Sequence, residues 1–274
     1  MTRRYGYVQA DAMAPLRLGI SACLLGHEVR YDGGHKRDPF LAETLGRFVE
    51  WVPVCPEVEL GLGVPREPIR LEGDPAAPRL VAANSRRDLT RAMTRLARAR
   101  AAELARLDLV GYVLKKDSPS CGMEGVRVHG GGRPRRRGTG LFARALMERL
   151  PFLPVEEEGR LRDAALCARF IERVFAYARW KGAVAAGMTR RRLAAFHAAH
   201  EPLLRAHDPS ACRRLGALVA NTGKRSLRAV VADYGPGFME ALRTPAPLPT
   251  RRRAPRRPAP PAPRRSPTAR PTAS

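Results

Sequence analysis

Apolar and polar positions along the chain follow two regimes, with strands alternating with helices first and helices alone afterwards. Leu16–Ser21 (LRLGIS) is a short apolar run closed by small residues. Phe48–Val54 (FVEWVPV) and Leu109–Leu114 (LVGYVL) are two more, rich in β-branched and aromatic side chains. Such runs predict buried strands. Between the second and third, Ser85–Leu107 is Arg- and Ala-rich with apolar positions at helical spacing, and Thr139–Leu150 (TGLFARALMERL) repeats that pattern. The alternation predicts an α/β domain with a mostly parallel sheet and helices on both faces. Farther on, Leu161–Trp180 places Phe170, Val174 and Tyr177 on one helical stripe, and Arg190–Ala220 is helical in pattern with a break at Asp208–Pro209. After Tyr234 the order is expected to fade through the Gly-Pro-Gly at 235–237, with disorder beyond Pro245. The organisation is thus a leader (1–15), an α/β domain (16–155), a helical connector (156–185), a small helical domain (186–244) and a disordered basic tail (245–274).

Charge changes this picture in one respect. The formal net charge is +24, and residues 245–274 hold eight Arg, ten Pro and no acidic residue. That tail carries about a third of the net charge and is too polar and Pro-rich to build a core. A charge of +16 remains on the rest, which either favours a polyanionic partner such as nucleic acid or is a self-solvating Arg-rich surface. No run of about 18 apolar residues suggests a membrane span. Met1–Pro15 lacks the apolar centre of a signal peptide, so a cytoplasmic location is expected.

The five cysteines are Cys23, Cys55, Cys121, Cys167 and Cys212, an odd number with no CxxC pair. A disulfide framework and a zinc ribbon are both disfavoured. The first three each follow one of the three predicted strands. In an open, Rossmann-like sheet the ligand crevice lies outside the carboxyl ends of the strands, so these thiols are expected to converge. Their loops are SACLLGHEVRYDG (21–33), CPEVELGLGVPREP (55–68) and KKDSPSCG (115–122). Three thiolates are too few for a closed zinc site but suit a 4Fe–4S cluster with one iron left open. The competing reading is three buried, unreactive thiols. Cys167 and Cys212 fall on helical stretches and read as packing residues.

The motifs SACLLG…VRYDG, CPE…G…PR.P and SPSCG resemble those of the TudS-type thiouracil desulfurases, over roughly Arg17–Leu150. The resemblance implies a 4Fe–4S cluster on Cys23, Cys55 and Cys121, and an oxygen-sensitive enzyme that replaces a thiocarbonyl sulfur by oxygen. Against that chemistry Glu57 reads as a general base and Ser118 as a proton relay or a group that orients water or substrate. Glu57 reads equally as a carboxylate that fixes its loop, and Ser118 as a turn hydroxyl before Pro119. Asp32, Lys36 and Lys116 are read as solvated loop charges or as pocket-shaping and phosphate-meeting groups. Arg66 is read as holding either a substrate phosphate or a neighbouring loop.

FIERVFAYARW (170–180), LAAFHAAHEPLLRAH (193–207) and LGALVAN (215–221) resemble the connector and start of a YbgA-like domain fused to a TudS-like one. That fusion implies 4-thiouridine in tRNA as substrate, with thiolated tRNA as partner. The alternatives are free 2-thiouracil or 4-thiouracil, or an RNA-binding protein whose cluster is structural or redox-sensing. A YbgA-like domain is expected to continue in helices well past Tyr234, so the second domain reads as partial and only marginally stable. His197, His200 and His207 have no completing carboxylate pattern and read as packing or capping residues.

Overall fold

The computed structural model describes residues 16–130, 132–221 and 225–244. The expected leader (1–15) and tail (245–274) lie outside the described residues. In chain order the strands are β1 (Leu16–Ser21), β2 (Val49–Val54), β3 (Ile69–Glu72), β4 (Arg79–Ala82), β5 (Gly111–Leu114), β6 (Val126–Gly130), β7 (Gly132–Gly138) and β8 (Val155–Glu157). The helices are α1 (Pro56–Glu59), α2 (Thr90–Leu104), α3 (Leu141–Arg149), α4 (Ala164–Ala185), α5 (Arg190–His207), α6 (Pro209–Ala220) and α7 (Leu227–Ala241).

The first sheet has the order β2-β1-β5-β8, with every neighbouring pair parallel. Its central strands read as apolar runs because both faces are covered. Leu18, Ile20 and Val113 pack with Phe170 and Val174 of α4 on one side. Tyr112 and Leu114 pack with Ala97 and Leu104 of α2 and Phe142 and Leu146 of α3 on the other. Gly19 makes room for Tyr112: a Cβ there would sit 2.1 Å from the ring. The parallel α/β layer expected from the alternation is therefore present, with helices on both faces.

A second sheet was not expected. Its order is β4-β3-β6-β7, with β3 and β6 parallel and the outer pairs antiparallel. Leu71, Leu80, Val126 and Val128 form its buried face against Met93 and Leu141. These strands are short and interrupted by Arg, and β7 (GRPRRRG) has no large apolar residue. Its pairing to β6 and not its own hydrophobic pattern makes it a strand. The sheet also shortens the helix expected from Ser85. The Thr90 hydroxyl accepts from Leu80 N–H at 2.8 Å and Arg86 has a positive φ of 61°, so 83–87 turn the chain and α2 begins at Thr90.

The second regime is helical, with the expected break at Asp208. That residue ends α5 and caps α6, its carboxylate accepting from Ser210 and Ala211 N–H at 2.9 Å each. Order does not fade at Gly235–Gly237, as the sequence suggested. Those residues lie inside α7, which Ser226 caps and which runs to Ala241. Tertiary packing overrides the local preference. Tyr234, Phe238 and Met239 are buried against Trp180, Phe196 and Leu215, and a Cβ at Gly235 would lie 2.6 Å from the Trp180 indole. Pro236 forfeits one backbone hydrogen bond, a modest loss beside the burial of three large side chains.

The three histidines serve this packing. His197 Nδ1 is 3.0 Å from the Tyr234 hydroxyl, His200 Nδ1 is 2.8 Å from Phe196 O, and His207 bridges Glu172 and Thr244 O at 2.8 and 2.6 Å. Cys212 is buried in the same helical core and Cys167 is half-buried on α4.

Candidate active site

Four parallel strands in the order β2-β1-β5-β8 change direction of progression at β1, which makes the β1/β5 crevice a topological switch point. Cys23 lies in a one-turn 3₁₀ helix directly after β1, Cys55 directly follows β2 as the residue before α1, and Cys121 lies in the loop after β5. All three line one cavity of about 380 Å³, together with Ser21, Val29, Arg30, Lys36, Glu57, Arg66, Ile69, Lys115, Lys116, Asp117 and Ser118. The volume falls in the ~300–1,000 Å³ range of small-molecule sites. Cys167 and Cys212 are not among its lining residues.

The cysteines are free thiols, and burial shapes their chemistry. Desolvation pushes the Cys23 thiol up to about 11, against the opposing pull of the Lys115 ammonium. Burial raises Cys55 as well. It holds Cys121 well above the thiol range, with the Glu57 carboxylate adding to the effect and a hydrogen bond from Ser21 opposing it. Three thiolates would be costly here without a compensating positive charge. Among the described residues no group of three His, Cys, Asp or Glu is placed to hold a single metal ion. The donor set, three free thiols around one shared cavity, suits a thiophilic, positively charged group.

Glu57 is clamped between two neighbours. Arg66 Nη2 and Nε donate to its Oε2 at 2.6 and 3.2 Å, and the Ser120 hydroxyl donates to Oε1 at 2.9 Å. Arg66 also donates to Gly63 O at 2.9 Å and Val29 O at 3.0 Å, so it ties three segments of the wall together. Its side chain is only 5% exposed. Of the two roles read for Arg66, the structure shows it bonded to neighbouring loops.

Ser118 sits in a turn whose backbone is fixed from both sides. Its Oγ accepts from Ser120 N–H at 3.2 Å and Cys121 N–H at 3.0 Å. A hydroxyl has two acceptor sites and one donor, so with both acceptor sites engaged the O–H has no protein acceptor among the described residues. Lys36 and Lys116 line the cavity and make no ion pair among the described residues. Asp32 lies outside the lining, bonded to Arg30 at 3.2 Å and accepting from Gly34 N–H at 3.2 Å.

Sequence reading missed three contributors. Ser120 is fully buried and joins the cysteine loop to Glu57. Ser21 accepts from Lys115 N–H at 2.9 Å, linking the ends of β1 and β5. Glu158, just past β8, pairs with Lys115 at 2.5 Å and accepts from Lys116 N–H at 2.8 Å. Ser21 and Ser120 stand inside the quoted motifs. Glu158 carried no signal beyond the Glu run at 156–158.

The cysteine loop doubles as a helix cap. Pro119 O and Ser120 O accept from the first N–H groups of α3, and Gly140 N–H donates to Gly122 O at 2.8 Å. A Cβ at Gly140 would fall 2.4 Å from Ser120 O and 2.8 Å from Cys121 N. These are backbone atoms that cannot swing aside. Gly140→Ala is therefore expected to destabilise the protein by about 1–3 kcal/mol or more and to displace Cys121. Denaturant melting and iron content of the variant measure both effects.

A family model described as 2-thiouracil desulfurase matches residues 18–158, a span that contains all three cavity cysteines, Glu57 and Ser118. A second, described as a protein of unknown function (DUF1722), matches residues 202–253. Among solved structures, a 4Fe-4S-dependent thiouracil desulfidase, TudS, is 33% identical, covers 56% of this chain and 97% of that chain, and superposes with a TM-score of 0.45. No curated protein matches the chain.

Proposed function

This chain belongs to the 2-thiouracil desulfurase family, and we propose that it removes sulfur from 4-thiouridine in tRNA with a 4Fe–4S cluster held by Cys23, Cys55 and Cys121. The observation that carries this reading is the convergence of those three thiols, from the ends of three adjacent parallel strands, on one cavity with Glu57 and Ser118 in its wall. Bound there, a cluster with three protein thiolates supplies an iron without a protein ligand, a soft Lewis acid suited to sulfur.

The chain's own groups supply the rest. The reaction exchanges C=S for C=O at the expense of one water, releasing hydrogen sulfide. Glu57 takes a proton from that water as it adds to the thiocarbonyl carbon; Arg66 and Ser120 hold the carboxylate in place while its remaining lone pairs face the cavity. Ser118 presents its O–H to the uracil ring or to the water, since its acceptor sites engage Ser120 and Cys121 N–H. Val29, Val54, Pro56 and Ile69 supply the apolar wall that a flat base needs and that limits bulk water. Lys36, Lys116 and Arg30 make the lining basic, which favours a base that arrives on a phosphate backbone.

Among the described residues no helix is long and apolar enough to cross a membrane. The experiment that tests the substrate assignment compares turnover on 4-thiouridine-containing tRNA with turnover on free 2-thiouracil and 4-thiouracil, by loss of the thiocarbonyl absorbance. A kcat/KM for the tRNA at least tenfold above that for either free base is expected. The reverse order assigns the enzyme to free bases.

A further inference from the structure

β7 is one of the two outer strands of the second sheet and carries Arg133, Arg135, Arg136 and Arg137 within five positions, all exposed. Its partner β6 adds the exposed Arg127, which stands directly opposite Arg136 in the register. Like charges directly opposite one another destabilise a strand pair. Arg136 is partly answered by Asp117, 3.0 Å away. Arg127, Arg133, Arg135 and Arg137 make no ion pair among the described residues. The register shifts between Val126 and Arg127 leave Arg137 as the extra residue of a bulge, a device that re-aims side chains beside functional sites.

The strand is tied to the cavity. Asp117, the partner of Arg136, lines the cavity wall, and its own backbone is held at a positive φ of 59°. At the C-terminal end of β7, Gly138 lies against Val128 and Leu71, where a Cβ would approach Val128 to 2.6 Å, and two residues on Gly140 N–H donates to Gly122 O of the cysteine loop at 2.8 Å. Arg136 is joined to the cavity wall through Asp117, the residue after the cavity-lining Lys116. Elsewhere on this sheet positive charge is consumed: Arg70 and Arg86 both bond Glu72, whose carboxyl they hold down at about 2. Among the described residues of this sheet, the unanswered charge is on β7 and on Arg127.

We infer that β7, with Arg127, is a phosphate-binding rim that holds the RNA backbone flanking the thiolated base while that base occupies the cavity. The inference rests on the tRNA reading above. Guanidinium groups suit it because they bond phosphate oxygens in a fork and stay charged at every working pH. Such contacts position the strand and do not choose the base, which leaves selection of the sulfur to the cavity. The plainer role of a charged edge strand is to prevent edge-to-edge aggregation, for which either sign of charge serves.

Charge reversal separates the two. The triple variant R133E/R135E/R137E of the full, cluster-loaded chain keeps a charged edge, and circular dichroism and iron content report that it is folded and loaded. Its Kd for tRNA is expected to rise at least tenfold, and the slope of log affinity against log salt to become shallower by about 2–3, close to one unit per lost phosphate contact. The triple glutamine variant is expected to fall between. Unchanged affinity and slope in a folded glutamate variant overturn the rim and leave the tRNA reading standing. Steep binding that the variant loses, with no desulfuration of tRNA, overturns the tRNA substrate and with it the rim's place beside a thiolated base. A wild-type protein that prefers phosphatidylserine vesicles to tRNA overturns both.

Discussion

Replacement of Cys121 by alanine is expected to remove iron binding and turnover together. Cys121 is buried, and its loop is pinned by the Ser118 hydroxyl and by the start of α3. No other cysteine, histidine or free carboxylate of the cavity lining stands ready to replace it. Two thiolates remain, too few to retain a cluster whose protein ligands are all sulfur. Cys212→Ala, in the helical core and away from the cavity, is the matched control and keeps iron and activity. Iron content after anaerobic reconstitution, read beside the rate, decides the matter. A brown, active Cys121 variant removes Cys121 from the ligand set.

The next largest effect is expected at Glu57. Glu57→Gln keeps the shape and the acceptor for the Ser120 hydroxyl but cannot take a proton, so kcat is expected to fall about 10²–10⁴-fold, the range general-base groups contribute. Arg66 loses its buried counter-charge yet keeps Gly63 O and Val29 O as acceptors, so the cavity wall is retained and iron content is unchanged. A carboxylate that serves only to fix the loop gives a different outcome, with KM moving while kcat drops less than about tenfold; the melting temperature falls in either case, because the buried Arg66 loses its counter-charge. That result assigns Glu57 to positioning and leaves the base to be sought elsewhere in the wall.

The first sheet and the three thiols were legible because both rest on local signals. LRLGIS and LVGYVL are buried on two faces and so read as apolar runs, and a cysteine just past such a strand is placed by topology alone. The second sheet was not legible. IRLE and RLVA are too short for a clear period, and GRPRRRG is a strand only because β6 offers it hydrogen bonds. The Gly-Pro-Gly of α7 misled for the same reason in reverse: local propensity argued against a helix that Trp180 and Phe196 stabilise from outside. Within the site, the spacing of Cys55 and Glu57 or of Ser118 and Cys121 was visible. Contacts that join distant segments, such as Glu57 with Ser120 and Lys115 with Glu158, have no counterpart in sequence spacing.

The most direct test of the account is anaerobic reconstitution of the full chain with iron and sulfide, followed by incubation with 4-thiouridine-containing tRNA and with free thiouracils while the thiocarbonyl absorbance is followed. One 4Fe–4S cluster per chain is expected, with the band lost as uridine or uracil and sulfide form. A chain that binds no iron, or one that is loaded yet leaves the thiocarbonyl of every substrate intact, contradicts the account.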